Sequence, residues 1–331
     1  MCHIDIHTHI IPPSIPKWVD KFGYEGFVHL IPQTNCQADM MIGDKFFRKV
    51  DQNSWDPNTR KKEMIETGIS KQVLSTVPVL FNYWAKGEHC LQTSMFYNDH
   101  IAEVCLKHPE NYYGIGTLPM QDPDLACREL ERCMKVLGMK GIEIGTHIND
   151  WNLNDKVLWP VYAKAEELGA CIFVHPWDMM GEKNMSRYWL PWLVGMPAES
   201  SLAICSLIFG GVFEAFPKLR FAFAHGAGSF PFTIGRIKHG FDVRPDLVAI
   251  DNDISPEKYL GKFWIDSLVH DIHALEYNLR LFGEDKIAFG SDYPFPLGDL
   301  TGGKFINESG LSEVTKKKIM STNALSWLGC N

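Results

Sequence analysis

The chain lacks the paired cysteines that mark a disulfide scaffold or a cysteine-rich zinc module. Its nine cysteines are scattered, without a C-x-x-C pair or a regular spacing. An odd number of isolated cysteines excludes a framework in which every thiol is paired, and it indicates free thiols in a reducing compartment. The cysteines therefore say little about function.

Positive charge and long apolar runs are also scarce. The 331 residues include 32 lysines and arginines against 40 aspartates and glutamates, and the pI is near 5.9. This balance argues against general binding to nucleic acid or to an anionic membrane, since both need a basic face. The longest nearly apolar stretch, residues 201–213, is shorter than a bilayer span, and the first residues show no basic-then-apolar leader. We expect a soluble, cytoplasmic protein.

What is present is a His-x-His pair at the end of a strand-like run. The run covers residues 3–9 and closes with His7 and His9. Residues two apart in a β-strand point to the same side, so both imidazoles can face one point in space. Such a pair also arises by chance as the polar end of a strand, so it indicates only half of a metal site.

Three further strand-like runs end in a histidine or a carboxylate, at His175, His225 and Asp292. A metal held by neutral imidazoles and one carboxylate needs ligands that converge from separate elements. The carboxyl ends of strands around a closed barrel provide that convergence. Four such strand ends in one chain favour a metal site over chance.

The alternation of strand-like and helix-like runs predicts the fold. Helix-like segments such as 124–137 and 158–168 separate eight strand-like runs. The strand-like runs cover residues 3–9, 71–78, 112–119, 141–148, 171–176, 220–225, 263–269 and 286–292. The pattern predicts an α/β fold, a (β/α)8 TIM barrel. An open doubly wound sheet is the alternative, but it does not readily bring the first, fifth, sixth and eighth strand ends together.

Residues 10–60 are too long for a strand-to-helix loop. They mix glycine and proline with short aromatic and apolar runs, and loops of this length usually are functional or form structure of their own. We expect a small β insertion after the first strand, lying over the barrel mouth like a lid. A hydrophobic content of 45% suits one closed core, so residues 1–331 are interpreted as a single barrel domain.

The His-x-His, His, His and Asp positions resemble the metal pattern of the amidohydrolase superfamily. Longer blocks resemble one of its branches, the metal-dependent aminocarboxymuconate semialdehyde decarboxylases. These blocks are residues 5–9, 74–78, 83–86, 116–120, 144–147, 174–178, 188–199, 225–236 and 290–298. The resemblance implies one zinc ion per subunit, with His7, His9, His175 and Asp292 as ligands. It implies His225 as the acid/base and, together with Asp292, as a catalytic residue.

A second metal is a less favoured alternative. Two-metal relatives place a bridging lysine or glutamate at the end of the fourth strand, whereas Glu143 comes early in that run. Glu143 and His147 nevertheless leave a binuclear site open.

The resemblance also implies a substrate and an assembly. The family substrate is a small conjugated dicarboxylate with an amino group and an aldehyde, formed during tryptophan degradation by the kynurenine route. It loses its 3-carboxylate as carbon dioxide without oxygen or an organic cofactor. The residues implied in substrate binding are Arg48, Arg236, Arg244, Trp192, Phe47, Met180 and Phe295. Arg236 and Arg244 are implied to reach the neighbouring subunit's pocket, so a homodimer is expected.

Two other functions compete with this one. A hydrolase of a lactone or an amide on the same barrel is the first, because metal-activated water is the superfamily's usual reagent; the arginines and the block 188–199 count against it. The second is a metal-binding barrel that has lost catalysis and acts through partners. It is less favoured because all five metal and base positions are present.

Overall fold

The structure is a computed structural model that describes residues 2–330. Its strands, in chain order, are β1 (Ile4–His9), β2 (Val28–Thr34), β3 (Gln37–Ile42), β4 (Lys45–Asp51), β5 (Lys71–Ser75), β6 (Tyr112–Gly116), β7 (Gly141–Gly145), β8 (His147–Ile148), β9 (Trp151–Asn152), β10 (Cys171–His175), β11 (Arg220–Phe223), β12 (Trp264–Asp266) and β13 (Ile287–Ala288).

The helices cover the barrel and its ends. They are α1 (Trp18–Phe22), α2 (Pro57–Thr67), α3 (Gly87–Lys107), α4 (Pro123–Lys135), α5 (Trp159–Leu168), α6 (Met196–Phe209), α7 (Val212–Ala215), α8 (Phe230–Val243), α9 (Pro245–Val248), α10 (Ile272–Phe282), α11 (Lys304–Asn307), α12 (Glu313–Lys317) and α13 (Asn323–Leu328).

Eight parallel strands form the barrel, in the order β1-β5-β6-β7-β10-β11-β12-β13. Backbone hydrogen bonds join the two ends of this order: Ile6 N donates to Phe289 O at 2.9 Å, and Asp292 N donates to His7 O at 2.8 Å. The first and last strands therefore meet, and the predicted (β/α)8 barrel is confirmed.

Strand β10 shows how the barrel positions its terminal side chains. Ile172 and Val174 pack outward in the large cluster between strands and helices. Cys171 and Phe173 belong to the cluster that fills the barrel. Because strand side chains alternate, His175 points to the same interior side as these two residues. The alternation thus delivers an imidazole to the carboxyl-terminal mouth of the barrel.

The helices that flank the barrel carry local start signals. In α4 the side chain of Asp122 accepts a hydrogen bond from Leu125 N at 3.1 Å, and Pro123 occupies the first turn. An acceptor before the first turn and a proline within it are favourable for a helix N-terminus. Leu130 and Cys133 lie on the buried face, which packs this helix against the barrel.

The predicted β insertion is present as an antiparallel sheet in the order β2-β3-β4. Met40 pairs with Arg48 and Met41 pairs with Phe46, which leaves Phe47 as an extra residue in β4. A bulge of this kind re-aims the side chains beside it. As a result the consecutive residues Phe47 and Arg48 both line the cavity at the barrel mouth.

One helical stretch, Pro191–Phe209, has the length and mean hydropathy (1.5) of a membrane-spanning helix, and half of it is buried inside the structure. It joins a π-helical turn, Pro191–Gly195, to α6. A helix of this length is not predicted from the sequence alone, because the longest nearly apolar stretch there covers only residues 201–213. Ala203, Ile204 and Leu207 pack into the main core, and a helix in the core of a soluble protein can have the same length and composition.

Arg60 of α2 is a fully buried cation behind the first strand. Its Nη1 donates to His9 O at 2.7 Å and to Asn53 O at 3.1 Å. Its Nε and Nη2 donate to the side-chain oxygen of Gln72, and the guanidinium lies over the Tyr293 ring. Arg60 therefore joins β1, the insertion, β5 and the segment after β13.

Replacing Arg60 with methionine should lower the free energy of unfolding by roughly 3 kcal/mol or more, since several buried acceptors lose their donor. Urea unfolding of metal-free protein measures this loss. Lys61→Met is the matched control on the same helix, because Lys61 makes only an exposed pair with Glu110 at 3.6 Å; we expect a change of less than about 1 kcal/mol. Equal effects of the two substitutions would contradict the role given to Arg60.

Candidate metal centre

Four strand ends bring their side chains to one point at the barrel mouth. Ligand atoms of His7, His175, His225 and Asp292 all lie within 4.8 Å of one another. His9 joins them, with its Nε2 3.1 Å from Asp292 Oδ1. The structure thus brings together the five residues that the sequence assigns to metal binding and acid/base chemistry.

Each of the three most buried imidazoles is held by its Nδ1 atom. His7 Nδ1 lies 2.7 Å from Asp266 Oδ2, His9 Nδ1 lies 2.8 Å from the Thr76 carbonyl, and His175 Nδ1 lies 2.9 Å from the Pro176 carbonyl. A carbonyl or carboxylate oxygen can only accept, so each Nδ1 carries the proton. The Nε2 lone pairs are then free to bind a metal.

A cation fits the space between these groups. The Nε2 atoms of His7, His9 and His175 are buried and have no hydrogen-bond partner among residues 2–330. Buried polar atoms without partners are rare because each one costs free energy. Three imidazole nitrogens and one carboxylate form a donor set that Zn²⁺ and similar divalent metals accept.

The protonation states of three of these groups already suit a metal. Burial lowers the pKa of His175 well below its usual range, and neighbouring imidazoles lower it further. Burial likewise lowers the pKa of His9, although Asp292 opposes the shift. For Asp292, burial alone raises the pKa, but the surrounding imidazoles outweigh it and hold the pKa well below its ordinary value. The site therefore offers two neutral imidazoles and an ionised carboxylate.

His7 differs because it faces two carboxylates. Burial lowers its pKa, but the interactions with Asp266 and Asp292 outweigh burial and raise the pKa to about 10. Without a metal, a proton on His7 balances this negative charge. A divalent cation supplies the same balance once that proton has left.

Asp266 is a residue of the site that the sequence analysis did not identify. It ends β12, and its carboxylate also accepts hydrogen bonds from His225 N at 2.9 Å and Gly226 N at 2.7 Å. The available signal was its position at the end of the seventh barrel strand. A single aspartate at a strand end is a weak signal beside paired histidines.

Glu143 and His147 do not join the ligand cluster. Glu143 is fully buried, 3.7 Å from His9 Nδ1, and burial raises the pKa of its carboxyl well above the usual range. Both ring nitrogens of His147 lie close to backbone carbonyls, of Asn149 and Asp178. Among residues 2–330, the ligand atoms that lie together form one cluster, and neither of these two residues belongs to it.

A cavity of about 210 Å³ opens above the cluster. His9, His175 and Asp292 form its floor, and Phe47, Arg48, Trp192 and Phe295 line it together with Lys49, which the sequence analysis did not single out. Met180 does not line it, and its side chain is 43% exposed. The chain turns at Asp178, which has a φ of 59°, and Met180 N donates to the Glu199 carboxylate, so the backbone carries this side chain away from the cavity.

Arg236 and Arg244 lie outside the cavity of their own chain. Arg236 is exposed on α8, and Arg244 is exposed just after that helix. The Arg244 guanidinium pairs with Asp246 at 2.7 Å. Neither arginine lines the cavity that contains Arg48.

Comparison with known sequences shows the family of this chain. The amidohydrolase family model matches residues 4–330. The chain is 52% identical over 327 residues to the 2-amino-3-carboxymuconate-6-semialdehyde decarboxylase of Dictyostelium discoideum, covering 98% of this chain and 91% of that protein. It is 37% identical over 376 residues to the enzyme of that name from Caenorhabditis elegans, covering 98% and 94%.

Solved structures agree with the fold. The 5-carboxyvanillate decarboxylase of Sphingomonas paucimobilis has a TM-score of 0.84 at 21% identity, covering 99% of both chains. A dihydroxybenzoic acid decarboxylase from Polaromonas, determined with bound manganese, has a TM-score of 0.78 at 22% identity, covering 99% of this chain and 97% of that one. At these identities the likeness concerns the fold alone.

The chain belongs to the amidohydrolase family, in the branch of the 2-amino-3-carboxymuconate-6-semialdehyde decarboxylases. It is a metal-dependent carboxy-lyase.

Removing one metal-facing imidazole should weaken metal binding strongly. We expect His175→Ala to reduce zinc affinity by more than about 100-fold, because even the loss of a residue that only orients a ligand costs about 10- to 100-fold. Competition with a chromogenic chelator measures the affinity. His147→Ala is the control, since His147 lies outside the cluster, and it should keep the affinity of the wild type. Unchanged zinc binding by His175→Ala would place the metal elsewhere.

Proposed function

We propose that this enzyme uses one zinc ion per subunit to remove the 3-carboxylate of 2-amino-3-carboxymuconate 6-semialdehyde, giving 2-aminomuconate 6-semialdehyde and carbon dioxide. The reaction needs neither oxygen nor an organic cofactor. The observation that carries the proposal is Arg48, an arginine without an ion pair among residues 2–330 that is held between aromatic rings in the cavity above the metal cluster. The names of the relatives at 52% and 37% identity support the choice of substrate.

Arg48 has the properties of a carboxylate receptor. Its guanidinium carbon lies 4.7 Å from the centre of the Phe47 ring and 4.6 Å from that of Phe295. The guanidinium forms no ion pair with any side chain in the described part of the chain. Burial lowers the pKa of Arg48. A planar cation held in place by two rings loses little freedom when it binds a carboxylate through paired hydrogen bonds. A dicarboxylate bound there lies directly over the ligand cluster.

His7, His9, His175 and Asp292 would hold the zinc ion. The ion supplies Lewis-acid chemistry, which polarises a bound oxygen or lowers the pKa of water. The chain supplies the proton transfer: His225 Nε2 lies 3.8 Å from Asp292 Oδ2, and its side chain is partly exposed. The carbon that loses carbon dioxide must gain a proton, and an imidazole beside that carbon can give it near neutral pH.

The aromatic walls and the substrate complete the mechanism. The aromatic residues that border the cavity include Trp177, Trp192 and Phe295. These rings exclude water from the bound substrate, and the exclusion of water strengthens the charge interactions inside the cavity. When the carbon–carbon bond breaks, its electron pair needs a place to go. The conjugated imine or aldehyde of the substrate accepts that pair, so the substrate provides what an organic cofactor would otherwise supply.

We further propose a cytoplasmic homodimer that works in the kynurenine route. A second cavity of about 340 Å³ reaches His225. Leu193 and Phe232 border this cavity, and both of these apolar side chains are exposed. Arg236 lies four residues after Phe232, on the same face of α8. Covering these side chains with a second subunit would carry its Arg236 toward the neighbouring pocket.

The function is tested by anaerobic turnover of freshly generated substrate, followed by the loss of its visible absorbance and by release of carbon dioxide. We expect rapid stoichiometric release by the zinc-loaded wild type and by His273→Ala, in which an exposed histidine is removed. His225→Ala should be slower by about 100-fold or more, since it lacks the proton donor.

No acceleration over spontaneous cyclisation by the fully zinc-loaded wild type would overturn the decarboxylase assignment, and turnover of a lactone or an amide would then favour the hydrolase. Activity with manganese but none with zinc would overturn the choice of metal.

Arg48→Ala should lower kcat/KM by about 10- to 100-fold, because a charge-assisted hydrogen bond contributes about 1.5–3 kcal/mol. Arg48→Lys should recover only part of the loss, since a lysine keeps the charge but not the paired donors. Steady-state kinetics measure both. Lys45→Ala, an exposed cation on the same strand outside the cavity, should leave kcat/KM unchanged. Wild-type kinetics in Arg48→Ala would remove Arg48 from the substrate site.

A further inference from the structure

Asp266 is a buried carboxylate at the end of β12 that makes four hydrogen bonds. Its Oδ2 lies 2.7 Å from His7 Nδ1 and accepts from His225 N at 2.9 Å. Its Oδ1 accepts from Gly226 N at 2.7 Å and from Leu268 N at 3.1 Å. The residue is fully buried. One side chain therefore contacts both a metal-facing imidazole and the backbone of the acid/base residue.

The backbone held by Asp266 has an unusual conformation. His225 and Ala227 have φ values of 57° and 67°, which residues other than glycine rarely adopt. Between them, Gly226 has a φ of 60°, and a Cβ atom there would lie 2.3 Å from Val269 Cγ1. Successive N–H groups in such a turn converge on one point and bind an anion. The Asp266 carboxylate occupies that point.

We propose that Asp266 is a positioning residue that couples the metal site to the acid/base: the same carboxylate fixes the ring of His7 and holds the turn that presents His225. This inference rests on the roles proposed above for His7 and His225. The partner of a ligand imidazole generally fixes the tautomer and the orientation of that ligand. Here the same oxygen atom, Oδ2 of Asp266, makes a second hydrogen bond, and this bond connects the ligand His7 to the acid/base residue His225.

The hydrogen-bond count explains why a carboxylate is needed. Four donors surround the side chain of Asp266, and a carboxylate has two oxygens with about four acceptor positions. An amide has one oxygen, and its NH2 group would face His7 Nδ1 and His225 N, or else Gly226 N and Leu268 N. In the first orientation His7 must give up its Nδ1 proton to accept, which places the remaining proton on the metal-facing Nε2. In the second, the NH2 group faces two backbone donors, Gly226 N and Leu268 N. The first orientation is therefore favoured, because only His225 N then faces a donor, and in it the turn that carries His225 loses the bond from His225 N.

Asp266→Asn tests this coupling in the full-length protein. We expect zinc affinity, measured by chelator competition, to fall by about 10- to 100-fold. At saturating zinc, kcat should still fall by about 100-fold, because His225 is displaced. Cobalt substitution gives a readout that needs no substrate: the visible spectrum of the cobalt form should change, since the orientation of His7 changes. Glu129→Gln is the control, because Glu129 is a buried carboxylate of α4 remote from the site; it should leave all three measurements unchanged.

Two results would overturn the proposal. Wild-type zinc affinity and an unchanged cobalt spectrum in Asp266→Asn would show that the carboxylate does not orient His7. Weakened zinc binding with wild-type kcat at saturating zinc would show support of the ligand without coupling to His225. If Asp266→Asn does not fold, Asp266→Glu replaces it, and the same outcomes apply because the carboxylate is moved by one methylene group. The affinity and the spectrum need no turnover, so they stay informative if the substrate assignment fails.

Discussion

The rest of this site depends on three buried imidazole nitrogens that have no hydrogen-bond partner among residues 2–330. The Nε2 atoms of His7, His9 and His175 are buried at the barrel mouth, and a bound cation would remove the cost of leaving them without a partner. The surrounding residues hold these imidazoles in place. Each Nδ1 is held by an acceptor that is itself fixed in a strand or at a strand end. A carboxylate then closes the cluster from the last strand of the barrel.

Much of this could be predicted from the sequence because it depends on local periodicity. The two-residue repeat of a strand places His7 and His9 together, and the alternation of eight strands with helices indicates the barrel that brings His175 and Asp292 to the same end. The clustering of these residues therefore follows from periodicities that can each be recognised within a single segment of the chain. Which of them binds the metal stays a prediction.

The parts that were not foreseen depend on contacts between distant segments. Asp266 meets His7 across 259 positions, and no local pattern marks that pairing. The presentation of Phe47 and Arg48 to one cavity depends on a bulge opposite Met40 and Met41, which the residue types do not signal. Met180 leaves the cavity because of a turn at Asp178 and a bond to Glu199, a residue nineteen positions away.

The closure of the barrel has a consequence for how the protein is made. His7 belongs to the first strand and Asp292 follows the last, and Asp292 N is bonded to His7 O. A nascent chain that has not yet cleared residue 292 from the ribosome holds its histidines without the carboxylate and without the strand that aligns them. Metal capture is thus deferred until residue 292 has emerged, and a chain terminated before that residue has no complete site with which to compete for the metal.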